Sequence, residues 1–123
     1  MATVRYLVDD IDAALEFYTR YLGFELKQRM GPPFAIIGRG DLDLWIAGPG
    51  TSARRPMPDG REPEPGGWNR LVIEVEDIQA TAEAMREAGV SFRNEIIKGP
   101  GGQQVLVEDP SGNPIEIFQP AGD

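Results

Sequence analysis

Apolar residues occupy every second position in two short stretches of the chain, and in both places the spacing then changes to that of a helix. Alternation predicts a β-strand with one buried face, whereas apolar residues three or four positions apart predict a helix with one apolar stripe. The alternating residues are Val4, Tyr6 and Val8, then Leu71, Ile73 and Val75. The helical stripes are Ile11, Ala14, Leu15, Tyr18 and Leu22, then Ile78, Ala82 and Met85. The pattern therefore predicts a strand followed by a helix, twice, with helices near 11–22 and 78–88.

These two passages are copies of one pattern. Residues 8–16 read VDDIDAALE and residues 75–83 read VEDIQATAE, so Val, Asp, Ile, Ala and Glu recur at matching places. Asp10 and Asp77 precede the helices, where a carboxylate can accept hydrogen bonds from free N–H groups and suits the positive end of the helix dipole. A glycine that can end a helix in the left-handed conformation follows each stripe, at Gly23 and at Gly89. A repeat of this length indicates one supersecondary unit used twice.

The remaining residues extend each copy to a β-α-β-β-β module. Further strands are predicted at 24–30, 34–37 and 42–46, then at 90–97, 103–108 and 114–118. Gly- and Pro-rich turns separate them, and Gly38-Arg39-Gly40 is assigned to one of these turns. We expect one α+β domain over residues 1–123, with module one at 1–47 and module two at 68–120. Residues 48–67 are rich in Gly and Pro, which predicts a linker or mobile flap without a regular element.

Composition excludes several classes of protein. The 123 residues contain neither cysteine nor histidine, which rules out disulfides, thiolate nucleophiles, Ser-His-Asp triads and imidazole metal sites. The net charge of −8 argues against nucleic acid and anionic membrane as partners, because both require a positive face. No apolar run has the length of a membrane span or the form of a secretion signal. We expect a soluble cytoplasmic protein.

Three passages resemble one known group of proteins. Residues 8–18 read VDDIDAALEFY, residues 22–24 read LGF, and residues 109–117 read DPSGNPIEI. In these passages, and over nearly the whole chain outside 48–67, the sequence resembles the vicinal oxygen chelate superfamily, the glyoxalase / bleomycin resistance protein / dioxygenase group. The resemblance implies two β-α-β-β-β modules whose strands curl around an open cavity. It also implies a homodimer.

The resemblance further implies where a metal ion would bind in metal-using members. The first strand of each module often offers a histidine, and those positions hold Thr3 and Arg70 here. The last strand offers a carboxylate, which corresponds to Glu116, and Asp43 is its counterpart in the first module. A fixed positive charge at position 70 would repel a divalent ion. We therefore expect no metal and no other cofactor.

Strand alternation predicts which side chains line the cavity, because neighbouring residues of a strand point to opposite faces. The set comprises two arginines, three carboxylates and two aromatic rings. Its members are Arg5, Asp43, Trp45, Arg70, Glu74, Glu116 and Phe118. These groups can neutralise one another, with Arg70 on Glu116 and Arg5 on Asp43 or Glu74. Alternatively they contact a ligand. Trp68 either closes the cavity from the side or is a half-buried anchor of the second module.

Three classes of function fit this sequence. The first is a metal-independent small-molecule binder, as in the antibiotic-sequestering branch of the superfamily, for a ligand with a flat ring and polar or cationic groups. The second is a lyase, isomerase or dioxygenase. In that case Glu116 or Glu74 is a general base, or Asp43, Glu74 and Glu116 hold Mg²⁺ or Ca²⁺. The third is a structural or regulatory module. We favour the first class.

Overall fold

The computed structural model describes residues 2–122, so Met1 and Asp123, the ends of the predicted domain, lie outside the described residues. The chain divides into two compact units. The first runs to Gly66 and includes Pro110–Asn113, and the second contains Gly67–Asp109 and the chain from Pro114 onward.

The described part of the first unit contains one α-helix and a four-stranded mixed sheet. Its strands follow the order β1-β4-β3-β2, in which β1 pairs with β4 in parallel and the other pairs are antiparallel. The elements are β1 (Ala2–Leu7), α1 (Ile11–Tyr21), β2 (Glu25–Arg29), β3 (Phe34–Arg39) and β4 (Leu42–Ala47). The parallel pairing of the first and last strands requires a crossover, which α1 and the hairpins supply.

The second unit repeats this arrangement with one more strand. Its sheet has the order β5-β9-β8-β6, β7 also pairs with β8, and the first and last strands are again parallel. The elements are β5 (Leu71–Glu74), α2 (Ile78–Glu87), β6 (Ser91–Phe92), β7 (Ile97–Gly99), β8 (Gly102–Glu108) and β9 (Pro114–Pro120). The α+β class and the duplicated module are therefore confirmed.

Both helices begin and end as the repeat predicts. The side chains of Asp10 and Asp77 accept hydrogen bonds from the backbone N–H groups of Ala13 and Ala80, at 3.1 and 3.0 Å. The glycines that follow the helices have the positive φ of the left-handed region, 70° at Gly23 and 84° at Gly89. An L side chain would be strained there, so these glycines fix the helix ends.

The buried face of α1 differs from the predicted stripe by one residue. Phe17 is buried, whereas Leu15 is only half-buried. Phe17 lies edge-on to the ring of the fully buried Tyr18, at a centroid distance of 5.2 Å, and Phe24 contacts the same ring at 5.6 Å. Edge-to-face aromatic packing adds to the free energy of area burial. An aromatic cluster therefore rotates the buried stripe toward position 17.

The prediction of one continuous strand at 90–97 is wrong, because the structure divides this stretch into β6 and β7. Between them the side chain of Asn94 accepts a hydrogen bond from the Leu106 backbone N–H at 2.8 Å. The backbone N–H of Arg93 donates to the Leu106 carbonyl at 2.9 Å. An asparagine side chain that replaces a backbone acceptor interrupts the ladder of strand hydrogen bonds. The sequence gives no periodic signal for such an interruption.

Residues 48–66 belong to the first unit and are attached to it by Arg54. The guanidinium of Arg54 donates to the carbonyl of Val8 at 2.6 Å and to that of Pro63 at 3.1 Å. Contrary to the prediction of no regular element, the segment contains a short 3-10 helix, Ser52–Arg54. The hydrogen bond from Arg54 to Val8 therefore holds the 3-10 helix next to the end of β1.

The turn Pro110–Asn113 supplies two polar side chains to the first unit. Asn113 is buried, its amide donates to the Leu7 carbonyl at 2.7 Å, and its carbonyl accepts from the Gly66 N–H at 2.8 Å. Ser111 Oγ accepts from the Asp9 N–H at 2.8 Å. This turn is therefore a connector within the first unit.

No helix in residues 2–122 has the length and apolar character needed to cross a membrane.

Candidate functional site

In the first unit, the parallel pairing of β1 and β4 places Arg5 beside Trp45. The two residues are in register, and the guanidinium carbon of Arg5 lies 5.0 Å from the centroid of the Trp45 ring. The ring of Phe34 packs edge-on to Trp45 at 6.0 Å, and the same guanidinium is 6.0 Å from its centroid. A cation over an aromatic face is stabilised by the ring quadrupole. Trp45 is half-buried and Arg5 is exposed, so this cation and its aromatic support are accessible to a ligand.

Asp43 lies two residues before Trp45 on β4. Its ion-pair partner is Lys27, a residue that the sequence did not indicate. Lys27 Nζ donates to Asp43 Oδ1 at 2.7 Å, so the expectation of an Arg5–Asp43 pair is wrong. The pairing of β2 with β3 shifts register between Leu26 and Gln28, which leaves Lys27 at a bulge. Bulges re-aim side chains, and this one brings the ammonium to the carboxylate.

Gly38 makes room for this ion pair. A Cβ atom at position 38 would lie 2.6 Å from Lys27 Cε and 2.8 Å from Asp43 Oδ1, closer than real Cβ contacts. The prediction that Gly38-Arg39-Gly40 forms a turn is wrong at its start, because Gly38 and Arg39 belong to β3. A glycine within an apolar strand indicates close approach of another group. The sequence therefore carries a signal for this close approach at Gly38.

In the second unit, Arg70 neutralises Glu116. Nε and Nη2 of Arg70 donate to Glu116 Oε1 at 3.1 and 2.9 Å, and Nη1 donates to the Trp68 carbonyl at 3.3 Å. The side chain of Glu116 is 11% exposed and that of Arg70 is 29% exposed. A carboxylate with so little access to water needs a charged partner, and Arg70 is that partner. This matches the pairing considered from the sequence.

Glu74 and Phe118 also meet in the second unit. They are in register on the parallel strands β5 and β9, and Val72 is in register with Glu116 two residues earlier. Phe118 is half-buried, Glu74 is exposed, and Val72 is 52% exposed. Paired residues of neighbouring strands lie on the same face of a sheet. One face of this sheet therefore combines the neutralised Glu116 with an accessible aromatic ring.

Trp68 is more exposed than a half-buried anchor of the second module would be. It is 70% exposed, which contradicts the idea of a half-buried anchor. Its ring lies 4.6 Å from the guanidinium carbon of Arg93. Arg93 is held in turn by Glu108 and by the Gly67 carbonyl, each at 2.7 Å. The indole is therefore supported by a fixed cation while most of its surface faces solvent.

The residues present do not fit the metal site that the resemblance implies. Thr3 and Arg70 stand where the imidazoles would be, and no group of three or more His, Cys, Asp or Glu residues within residues 2–122 could hold a metal ion. The all-oxygen alternative from Asp43, Glu74 and Glu116 is therefore not supported. Both carboxylates that the resemblance assigns to the metal already carry an organic cation, Lys27 on Asp43 and Arg70 on Glu116.

Comparison with known proteins defines the family. The family model of the Glyoxalase/Bleomycin resistance protein/Dioxygenase superfamily matches residues 1–117, and the chain belongs to that superfamily. It is 27% identical to a probable lactoylglutathione lyase from Synechocystis, in an alignment that covers 91% of this chain and 88% of that protein. The resemblance inferred from the motifs is thus confirmed.

Solved structures agree with the fold. A superfamily member from Sphaerobacter thermophilus has a TM-score of 0.75 and 25% identity, over 97% of this chain and 95% of that chain. The antibiotic binding protein TnmS3 from a Streptomyces species has a TM-score of 0.71 and 24% identity, over 97% of this chain and 93% of that chain. Proteins similar to this chain thus include one described as a probable lyase and one described as binding an antibiotic.

Proposed function

We propose that this protein binds a small molecule with a flat ring and uses no metal ion or other cofactor to do so. One observation carries the proposal: in each unit, a fixed organic cation occupies the carboxylate that a metal would need, and an accessible aromatic ring lies on a strand beside it. The proposed ligand contacts are Arg5, Asp43 and Trp45 in the first unit and Arg70, Glu74, Glu116 and Phe118 in the second.

Electrostatics support the absence of a metal. Two unit charges 4 Å apart interact by about 4 kcal/mol at an effective dielectric constant of about 20, and the repulsion is larger for a divalent ion. A metal on Asp43 would have to displace Lys27, whose side chain is positioned by the bulge in β2. A metal on Glu116 would have to displace two hydrogen bonds from Arg70. Both sites are therefore unfavourable for a cation.

The aromatic rings support a planar ligand. Trp45 and Phe118 are half-buried residues on the last strands of the two modules. Stacking on such a ring contributes about 0.5–1.5 kcal/mol beyond the buried area. Polar groups at the ends of the ligand would form hydrogen bonds with the charged side chains.

Titration of a panel of planar antibiotics and metabolites, followed by tryptophan emission, tests this proposal. Trp45→Phe and Trp68→Phe form a matched pair, because each removes one of the two indoles. We expect a ligand that changes the emission of the Trp68→Phe variant and leaves that of the Trp45→Phe variant nearly constant. Constant emission of the unmodified protein across the panel would contradict the proposal.

An enzymatic function is the second candidate, and the likeness to a probable lactoylglutathione lyase favours it. Glu116 would then be the catalytic base or a metal ligand. The Arg70 guanidinium on Glu116 disfavours both roles, since it donates two hydrogen bonds to Oε1 and places a fixed positive charge beside the carboxylate. An assay of lactoylglutathione lyase activity with and without added Ni²⁺ or Zn²⁺ separates the candidates. Metal-stimulated turnover that Glu116→Gln abolishes would establish the enzyme.

The proposal includes a cytoplasmic homodimer with no nucleic-acid partner. Strand β2 lies at an edge of its sheet, all five of its residues are exposed, and Leu26 and the adjoining Met30 are 52% and 49% exposed. An exposed edge strand with apolar side chains is a template for pairing with a second copy. The net charge of −8 disfavours a polyanionic partner.

A further inference from the structure

Arg5 is a charged group whose hydrogen-bonding capacity is unused within the described chain. No carboxylate in residues 2–122 lies within ion-pair distance of its guanidinium, and no hydrogen bond from that guanidinium occurs there. By contrast, Lys27, Arg54, Arg70 and Arg93 each have a carboxylate partner. A guanidinium offers five N–H donors in a planar fork. Those of Arg5 are available to a ligand.

Arg5 nevertheless has a defined support, since its guanidinium lies over Trp45 at 5.0 Å and near Phe34 at 6.0 Å. Trp45 is itself fixed by edge-on packing against Phe34 and by its register between β1 and β3. An arginine that is stacked on aromatic rings loses less conformational freedom when it binds a carboxylate, because its fork is already oriented.

The carboxylate on the same face of this sheet is not available to a cation. Asp43 is in register with Thr3 on β1, and its Oδ1 accepts from the Lys27 ammonium. A ligand that lies on Trp45 therefore meets one unpaired positive charge and one neutralised negative charge. Charge complementarity favours a negative group on the ligand, whereas the sequence alone indicated polar or cationic groups.

We propose that the Arg5–Trp45 face of the first unit selects planar anions, with an acidic group of the ligand on the Arg5 fork and its ring against Trp45 and Phe34. Aromatic carboxylates are the chemical class that satisfies both contacts, since a carboxylate accepts two parallel N–H donors from one arginine. This inference rests on the proposed function and specifies the ligand class for it. Arg5 is then a specificity-determining residue.

Three probes that share the naphthalene ring system and differ in charge test the inference: 2-naphthoate, 2-naphthamide and 2-naphthylmethylammonium. Calorimetric titration of the wild-type protein with each probe needs no variant. We expect 2-naphthoate to bind about tenfold more tightly than the neutral amide, the scale of one hydrogen bond to a charged group. The ammonium should bind more weakly than the amide. Added salt should weaken 2-naphthoate binding and leave amide binding nearly unchanged.

Variants identify the residue responsible. Arg5→Gln should reduce 2-naphthoate affinity to that of the amide, and Arg5→Lys should retain part of the preference because it keeps the charge and loses the fork. Arg55→Gln is the matched control, since Arg55 is exposed in the same unit and its removal changes net charge equally. It should leave the preference unchanged. A purely structural role for Arg5 would lower the melting temperature of Arg5→Gln without changing the ratio of probe affinities.

The outcomes separate this inference from the proposed function. If the amide or the ammonium binds as tightly as 2-naphthoate, or if Arg5→Gln keeps the preference, the inference is wrong while ring binding stands. If no probe binds at millimolar concentration and tryptophan emission stays constant, both are contradicted.

Discussion

Lys27 and Asp43 form an ion pair across β3, with Lys27 Nζ 2.7 Å from Asp43 Oδ1, and the residue of β3 beneath the pair is Gly38. Lys27 lies at the bulge in β2, and the absence of a side chain at position 38 leaves the space that the ion pair occupies. Asp43 is the carboxylate that the resemblance assigns to the metal ion in metal-using members, and here it binds Lys27. The first unit therefore holds an organic cation, the Lys27 ammonium, at this position.

Gly38→Ala should weaken the first unit. The new Cβ would overlap Lys27 Cε and Asp43 Oδ1, so the side chains of the ion pair must shift, and we expect a loss of about 1–2 kcal/mol in the free energy of unfolding. Gly99→Ala is the matched control, because Gly99 is also in a strand and its Cβ would meet nothing within 4 Å. Urea denaturation measures both. Lys27→Ala should reduce the cost of Gly38→Ala, and strict additivity of the two changes would count against the overlap.

Arg70→Ala should lower stability because it leaves Glu116 with little access to water and without its cation. We expect a loss of about 2 kcal/mol, below the full cost for a buried pair because Arg70 is 29% exposed. Chemical denaturation provides the measurement. Arg20→Ala removes an exposed pair with Glu16 and should change stability by only a few tenths of a kcal/mol. Adding Glu116→Gln to Arg70→Ala should recover part of the loss, and equal effects of the two arginine variants would contradict this account.

Asn113→Ala should destabilise the junction between the end of β1 and residue 66. The change removes the donor to the Leu7 carbonyl and the acceptor for the Gly66 N–H, and both hydrogen bonds are partly buried. We expect a cost of about 2–3 kcal/mol and faster amide hydrogen exchange at Gly66. Asn69→Ala, at an exposed asparagine, is the control and should be nearly neutral. Unchanged exchange at Gly66 would show that the contact does not hold the segment.

Leu26→Lys should shift the proposed homodimer toward monomer, because a charge on the edge strand β2 opposes pairing with a second copy. Ile97→Lys is the matched control, since Ile97 is 51% exposed and Leu26 is 52% exposed, but Ile97 lies in β7 of the second unit. Sedimentation velocity at tens of micromolar protein, where typical specific interfaces are filled, distinguishes the two. A wild-type monomer at that concentration would contradict the homodimer.

The elements were predictable wherever local rules and the repeat agreed. Asp10, Asp77, Gly23 and Gly89 fixed both helices, because a carboxylate at a helix start and a glycine at its end act within a few residues. The division between β6 and β7 was not predictable, since it depends on Asn94 reaching Leu106, a residue distant in sequence. Local patterns carry no information about such contacts.

For the candidate site, the sequence indicated one of the two charge pairs and missed the other. The sequence suggested Arg70 as the partner of Glu116, which the structure shows, and it placed Arg5 and Trp45 in one set of residues without predicting that they are in register. Lys27 was missed because a bulge, which no periodicity shows, turns it toward Asp43. That one residue changes the ligand class that we propose, from polar or cationic groups to an anionic group.

The metal content of the purified protein tests the central claim most directly. The protein is dialysed against micromolar Zn²⁺, Ni²⁺, Mn²⁺ and Fe²⁺ in turn, then against metal-free buffer, and analysed for each element. The two fixed cations, Lys27 on Asp43 and Arg70 on Glu116, predict far less than one metal ion per chain in every case, with ligand binding unchanged by a chelator. About one firmly held ion per chain, together with ligand binding that the chelator abolishes, would contradict the account.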